Sequence, residues 1–347
     1  MTRIAWMKKN LFSTKLNSFL TILWICIAVI LLPKAINWLF INSTWLGNDI
    51  SSCTPNGACW IFIKLNFSKI IYGLYPRDQY WRIHIIAITL VTLILLMFID
   101  KKQTRQMLWF GITRIGFPIF SIMMLYGVGP MTKVPTSYWG GITLNLIIAV
   151  LSLILSTPYG ILLALGRQSK SRVYRYISTI LIEFIRGVPL ITLLFMAAIM
   201  LPLFFPPGII FDKITRIIFV LTIFGGAYIA ECVRGGLSSI PKGQYECSQS
   251  LALGYFKMMI WVILPQALRV SLPSIVNTFI AITKDTSLVT IIGLLDILGM
   301  MVLILSDITW SIYFIEGYIT LAFIFWIICF SLSCLSKHIE KRYSIKQ

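Results

Sequence analysis

Two pentads in the middle of the chain, Glu183-Phe184-Ile185-Arg186-Gly187 and Glu231-Cys232-Val233-Arg234-Gly235, share the form E-x-x-R-G. On a helix that spacing puts a carboxylate and a guanidinium on one face, so the chemistry on offer is charge pairing, made or broken. A third polar group, Lys284-Asp285-Thr286-Ser287, interrupts a long apolar stretch, and Asn277 and Thr278 precede it by one to two turns. Polar residues at membrane depth are costly unless they face protein, water or a solute. The group therefore either lines a path or makes a buried contact to another helix. The two pentads allow a similar pair of readings, as structural ion pairs at polar helix ends or as parts of a gate.

Nothing in this set is a covalent catalyst. The chain has no G-x-x-x-x-G-K-[ST], no H-E-x-x-H and no nucleophile elbow. Its two histidines, His84 and His338, leave zinc or haem almost without ligands. The expectation is a non-enzyme that binds no metal, and any ATP use belongs to a partner.

The elements that must hold these residues are membrane helices. Of 347 residues 58% are hydrophobic and 12% charged, with a mean hydropathy of +0.87, which excludes an ordinary soluble domain. Spanning helices need apolar runs of roughly 17–25 residues. Eight are read, at about Asn17–Phe40, Ile83–Phe98, Met107–Val128, Gly140–Leu165, Tyr174–Met200, Ile214–Val233, Leu272–Leu295 and Trp310–Leu335. The basic N-terminus lacks a small-residue cleavage site, so the first run is read as retained. Most of the thirty Lys and Arg fall in loops that alternate to one side of these spans, which places both termini in the cytoplasm. The net charge of +18 is thus an orientation signal, and nucleic-acid binding is not expected.

Outside, Ile41–Arg82 is the long loop. It carries the turn Pro55-Asn56-Gly57 and then Tyr72, Tyr75, Tyr80 and Trp81, as an interfacial helix or flap would. Cys53 and Cys59 lie in it; a disulfide and two free thiols are both open. Span four opens with Gly140-Gly141-Ile142-Thr143-Leu144-Asn145 and contains Ser156, Thr157, Pro158 and Gly160. It reads as a tightly packed helix. Between spans six and seven, Gly243 to Arg269 is a moderately polar helical stretch of a size that exists to touch something outside the bilayer. Taken alone it could also be an amphipathic interfacial helix.

From Gly140 onward the chain resembles membrane subunits of ABC importers for polar amino acids. The pieces that carry the resemblance are Trp139-Gly140-Gly141-Ile142-Thr143-Leu144, Ala164-Leu165-Gly166-Arg167, Glu183 to Leu190, Ala227-Tyr228-Ile229-Ala230-Glu231, Arg234-Gly235-Gly236-Leu237, Leu264-Pro265-Gln266-Ala267-Leu268-Arg269 and Lys284-Asp285-Thr286-Ser287-Leu288. The polar stretch is similar to the family's EAA loop, counted from Glu246, with Leu264-Pro265 in register. It departs by Cys247 and Ser248 for two alanines, Ala252 for the glycine and Val262 for the isoleucine. A turn at Ala252 is therefore in doubt, and Gly254 is an alternative place for it.

The resemblance implies an all-α type I importer permease, with a five-helix core over 139–347 and its coupling loop at about 234–271. Three extra helices over 1–138 look like those of general L-amino-acid permeases. It implies a cytoplasmic ATPase dimer that uses ATP and Mg, a second permease chain paired as a heterodimer, and a periplasmic amino-acid-binding protein. The setting would be the bacterial inner membrane, surrounded by lipid, with an L-amino acid as substrate moved by alternating access. Gly243, Glu246, Ser248, Ala252, Gly254 and Pro265 would couple to the ATPase. Glu183, Arg186, Glu231, Arg234, Asn277, Lys284, Asp285 and Thr286 are the candidates for the path or its gate. The rival reading is a secondary transporter of small polar solutes driven by an ion gradient.

Overall fold

In a computed structural model of the chain, residues 3–47, 49–99, 115–206 and 211–343 are described. The helices are α1 (Arg3–Asn10), α2 (Lys15–Ile36), α3 (Ile61–Tyr72), α4 (Tyr80–Ile99), α5 (Phe117–Tyr126), α6 (Gly141–Arg167), α7 (Arg172–Gly187) and α8 (Leu190–Phe195). After these come α9 (Lys213–Ser238), α10 (Lys242–Ser250), α11 (Tyr255–Met258), α12 (Leu264–Asp285), α13 (Ile297–Leu305) and α14 (Phe314–Tyr343). Among the described residues six stretches are long and apolar enough to cross a membrane, and a bent pair makes up to seven. Part of the third expected span, Met107–Val128, lies outside the described residues; its described helix is α5.

Two spans differ from the sequence expectation. The run Tyr174–Met200 is not straight: it forms two arms, Arg172–Gly187 and Leu190–Phe204, set at 102°, as a broken span or a re-entrant turn. Pro189 has no N–H to give the ladder and pushes the residue before it out of the helical region. Val188 is accordingly extended at φ −97° and ψ 132°. The span expected at Leu272–Leu295 is part of a longer helical run, Tyr255–Ile292, that continues from the polar loop into the membrane.

The chain divides into two compact units. The first, Met1–Phe67 with Leu305–Thr320, carries α2, none of whose residues is buried, and a short knot after it. Cys53 and Cys59 are joined there as a disulfide, their Cα atoms 5.5 Å apart. The Thr44 amide donates to Ala58 O at 2.9 Å and the Trp60 amide to Thr44 O at 3.0 Å, and the Trp60 indole N–H donates to Leu39 O at 3.0 Å. The Cys59 amide donates to the buried Glu316 carboxylate at 3.1 Å, which ties the knot to the start of α14.

The second unit, Ser68–Ile304 with Leu321–Gln347, is organised about α9, which packs along α6 and α12. Small residues let these backbones approach, as membrane helices require. A side chain at Gly160 would strike Gly226 O and Ile229, and one at Gly226 would strike the Tyr159 ring. Two apolar clusters result. One includes Leu144, Ile148, Leu194, Ile217 and Leu221; the other includes Ala164, Ile182, Ala230, Val233, Met259 and Ile263. The second cluster sits where α6, α7 and α9 meet the polar loop.

Candidate functional site

At that end of the second unit the charged residues converge. Arg167 is the last residue of α6, where a cation suits the helix dipole. Its guanidinium reaches two helices at once, donating to Glu231 of α9 and pairing with Glu183 of α7 at 2.9 Å. Glu231 also accepts from Arg234 Nε at 3.0 Å and lies 3.8 Å from Arg186 Nη1. The Arg186 guanidinium stands over the Tyr228 ring, 5.4 Å from its centroid. Three cations therefore share two carboxylates, and Glu231 is the hub. The side chain of Glu231 is 18% exposed against 56% for Glu183, so the inner half is sheltered and the outer half meets water.

The two pentads thus behave differently. Glu231 and Arg234 pair within their own helix as the i,i+3 spacing allows. Glu183 instead pairs with Arg167, and Arg186 approaches Glu231. In the sequence Arg167 belongs to the family resemblance and has no separate role. Its signal was modest: a basic residue closing an apolar span.

Beside this cluster lies the polar loop. Pro241 precedes the nine residues of α10, and the C-terminal end closes with two returning amides. Ala252 N–H donates to Gln249 O at 2.8 Å and Leu253 N–H to Ser248 O at 3.2 Å, the pattern of a Schellman cap. Ala252 itself takes the left-handed conformation at φ 54°. Gly254 is extended at φ −63° and ψ 156°, so the turn stays at Ala252 and the shift to Gly254 is not needed. The left-handed region is costly for a residue with a Cβ, and alanine is the smallest of these.

One side of α10 is anchored. Ser248 is buried and its hydroxyl donates to Gln244 O at 2.7 Å; Gln266 Nε2 donates to Gln244 Oε1 at 3.1 Å. Tyr245 and Leu253 rest on the second apolar cluster, and burial raises the Tyr245 phenol above its ordinary pKa, with Tyr255 adding to it. The other side is open. Gly243, Glu246, Gly254 and Pro265 are exposed, as are Leu251 and Phe256, at 74% and 77%. Met258, by contrast, is buried.

The polar stripe of α12 is split. Asn277 and Lys284 are exposed and Asp285 is half-buried, whereas Thr286 is fully buried. Thr286 joins a node that sequence reasoning missed, in which Asn145 of α6 donates to Thr286 Oγ1 at 3.2 Å and to Asp296 Oδ2 at 3.0 Å. Asp296 also accepts from Thr290 and from the Gly299 amide at 3.0 Å, capping α13. The available signal was Asp296 as the one carboxylate between Asp285 and Asp307. No group of three or more His, Cys, Asp or Glu that could hold a metal ion occurs among the described residues.

Similarity to known proteins points to membrane transport as well. Residues 156–345 match the family described as binding-protein-dependent transport system inner membrane component. The chain is 45% identical over 342 residues to the inner membrane amino-acid ABC transporter permease protein YhdY of Escherichia coli K12, covering 98% of this chain and 93% of that one. It is 34% identical over 406 aligned residues to the glutamate/glutamine/aspartate/asparagine transport system permease protein BztC of Rhodobacter capsulatus, again covering 98% of this chain and 93% of that one. Among solved structures, an amino acid ABC transporter crystallised with histidines superposes with a TM-score of 0.52 at 29% identity, over 58% of this chain and 92% of that one. The chain is a multi-pass inner-membrane protein and belongs to the family of binding-protein-dependent transport system inner membrane components, the permease subunits of ABC importers.

Proposed function

We propose that the chain forms one half of the membrane pathway of an ATP-driven importer of L-amino acids, of polar or broad range. The observation that carries this reading is the polar loop. Held by Ser248, Tyr245, Leu253 and the Gln244–Gln266 contact, it offers Gly243, Glu246, Leu251 and Phe256 to a partner. An anchored helix followed by exposed apolar residues transmits force in a way that a free loop does not. The partner is a cytoplasmic ATPase dimer, which uses ATP and Mg; this chain supplies Ala252 and Pro265 for loop shape and binds no nucleotide.

In this reading the five-helix core occupies 139–347 and the extension 1–138. A second, different permease chain completes the pathway, and a periplasmic amino-acid-binding protein delivers substrate. The amino-acid class rests on the relatives, whose names carry amino-acid transport. ATP closes the ATPase dimer, α10 moves with it, and α12 carries the motion because the helical run continues from the loop to Ile292. The cluster of Arg167, Glu183, Arg186, Glu231 and Arg234 latches the cytoplasmic end, and Asn277, Lys284 and Asp285 line the route. Asp285→Asn with transport and amino-acid-stimulated ATPase both unchanged takes Asp285 off that route.

A carrier driven by an ion gradient needs no such loop. The test is purification from its native host followed by reconstitution. Recovery with an ATPase subunit, and loss of uptake when that subunit is removed, supports the importer; uptake by the chain alone under an ion gradient overturns it.

A further inference from the structure

The end of α6 far from the charged cluster is a junction of three segments distant in sequence. Residues 70–73 close α3, residues 140–145 open α6, and residues 295–297 lead into α13. Gly141 N–H donates to Leu295 O at 2.9 Å, and the Thr143 hydroxyl donates to Ile71 O at 2.8 Å. Isolated backbone bridges join Gly73 to Trp139 and Gly141 to Asp296. Gly73 and Gly141 both have positive φ, at 65° and 62°. A Cβ at Gly73 would collide with Gly140 backbone, and one at Gly141 with Ile70 O, so this packing admits no side chain at either place.

One turn deeper, the buried Asn145 and Asp296 extend the junction. Asn145 uses both amide hydrogens, on Thr286 and Asp296, while its Oδ1 accepts the Ile297 amide at 2.8 Å. Asp296 holds α6, the turn that follows α12 and the first turn of α13 by one carboxylate. The helical run that begins at Tyr255 beside the polar loop ends at Ile292, close to this node. Within that run α12 alone, 22 residues at 1.5 Å each, makes a lever of about 33 Å.

We propose that this junction is the periplasmic clamp of the transport cycle, with Asp296 and Asn145 as its positioning residues and residues 70–73, from the extra N-terminal portion, as its third jaw. The inference rests on the importer reading and gives the extension a task within it. The junction is closed in this structure, and outward opening requires the α12 lever to draw Thr286 and Thr290 away from the Asn145–Asp296 pair. Buried and mutually satisfied, the pair favours a two-state contact over a sliding one.

The test uses the complete importer, permease chains with ATPase, in liposomes, and reads the ratio of ATPase with amino-acid-loaded binding protein to basal ATPase. Asp296→Asn removes the charge with little change of shape, and Thr143→Val removes only the tie to Ile71. Each is expected to raise basal ATPase roughly tenfold, the size of one lost charge-assisted or buried hydrogen bond, and to collapse the ratio. Thr143→Ser, which keeps the hydroxyl, is expected to restore the wild-type ratio. If Asp296→Asn fails to assemble, the Thr143 pair decides. Variants that assemble and keep the wild-type ratio overturn the clamp alone. A wild-type complex with no response to loaded binding protein overturns the importer reading and the clamp together.

Discussion

Glu231 of α9 accepts the guanidinium of Arg167 from the end of α6, and through Arg167 it is tied to Glu183 of α7. Three helices are therefore joined by one cation. Because Glu183 and Arg234 reach water, each outer pair alone is worth little, on the order of 0–1 kcal/mol. The hub is different, since removing Arg167 leaves Glu231 sheltered with fewer partners.

Arg167→Ala is expected to lower thermal stability of the purified permease and to cut transport more than Glu183→Gln does. A double-mutant cycle between Arg167 and Glu231 should give a coupling of about 0.5–3 kcal/mol, above that of Arg167 with Glu183. Equal couplings would remove Glu231 as the hub.

Ala252 provides a test in the stabilising direction. A residue with a Cβ in the left-handed region costs about 1–2 kcal/mol, and glycine avoids that while losing some of the gain to unfolded-state entropy. Ala252→Gly should therefore hold or raise loop stability by up to about 1 kcal/mol, whereas Ala252→Val should lower it and weaken ATPase binding. Hydrogen exchange at the Ala252 and Leu253 amides reads this directly. Faster exchange in the glycine variant would show that the cap is set by something else.

Asp296 lies past the span that ends at Ile292, and burial raises its carboxyl above the ordinary aspartate range, opposed by hydrogen bonds from Thr290, the Gly299 amide and Asn145. A raised folded pKa means that the folded state holds the proton more tightly than the unfolded chain. Stability then falls as pH rises from about 4 through the folded pKa and levels off above it. The stability of wild type relative to Asp296→Asn should decline over that window. Melting temperatures of both proteins across pH check it, and a flat difference contradicts it.

Cys53 and Cys59 close a small knot whose Cys59 amide is held by Glu316, and the charge pattern expects this knot outside the cell. In intact cells neither thiol should react with an impermeant maleimide until a reductant is added. Cys53→Ser should loosen exchange protection in the knot and leave the polar loop unchanged. Labelling without reduction would show free thiols.

How much of this was legible beforehand differs by residue. Apolar runs are local in sequence, so α2, α6, α9 and α14 were readable as spans. The loop's spacing from Glu246 to Pro265 was also readable, because a helix, a turn and a helix start leave a linear record. Ala252 hid its role, since its left-handed φ comes from the cap that the neighbouring residues build and not from its own preference. Pro189 accounts for the break after Val188, but the 102° between the two arms is not written in that one residue. Arg167 with Glu231, and Asn145 with Asp296, lie 64 and 151 residues apart, and pairing over such distances is decided by which helices touch.

The most direct measurement is amino-acid uptake into liposomes holding the purified importer with ATP supplied on the side of the polar loop. The account predicts uptake that needs ATP and loaded binding protein and is abolished when Glu246 and Gly243, both exposed on α10, are replaced by bulky residues that block ATPase docking. Uptake that persists without ATP, or that is indifferent to those substitutions, would contradict it.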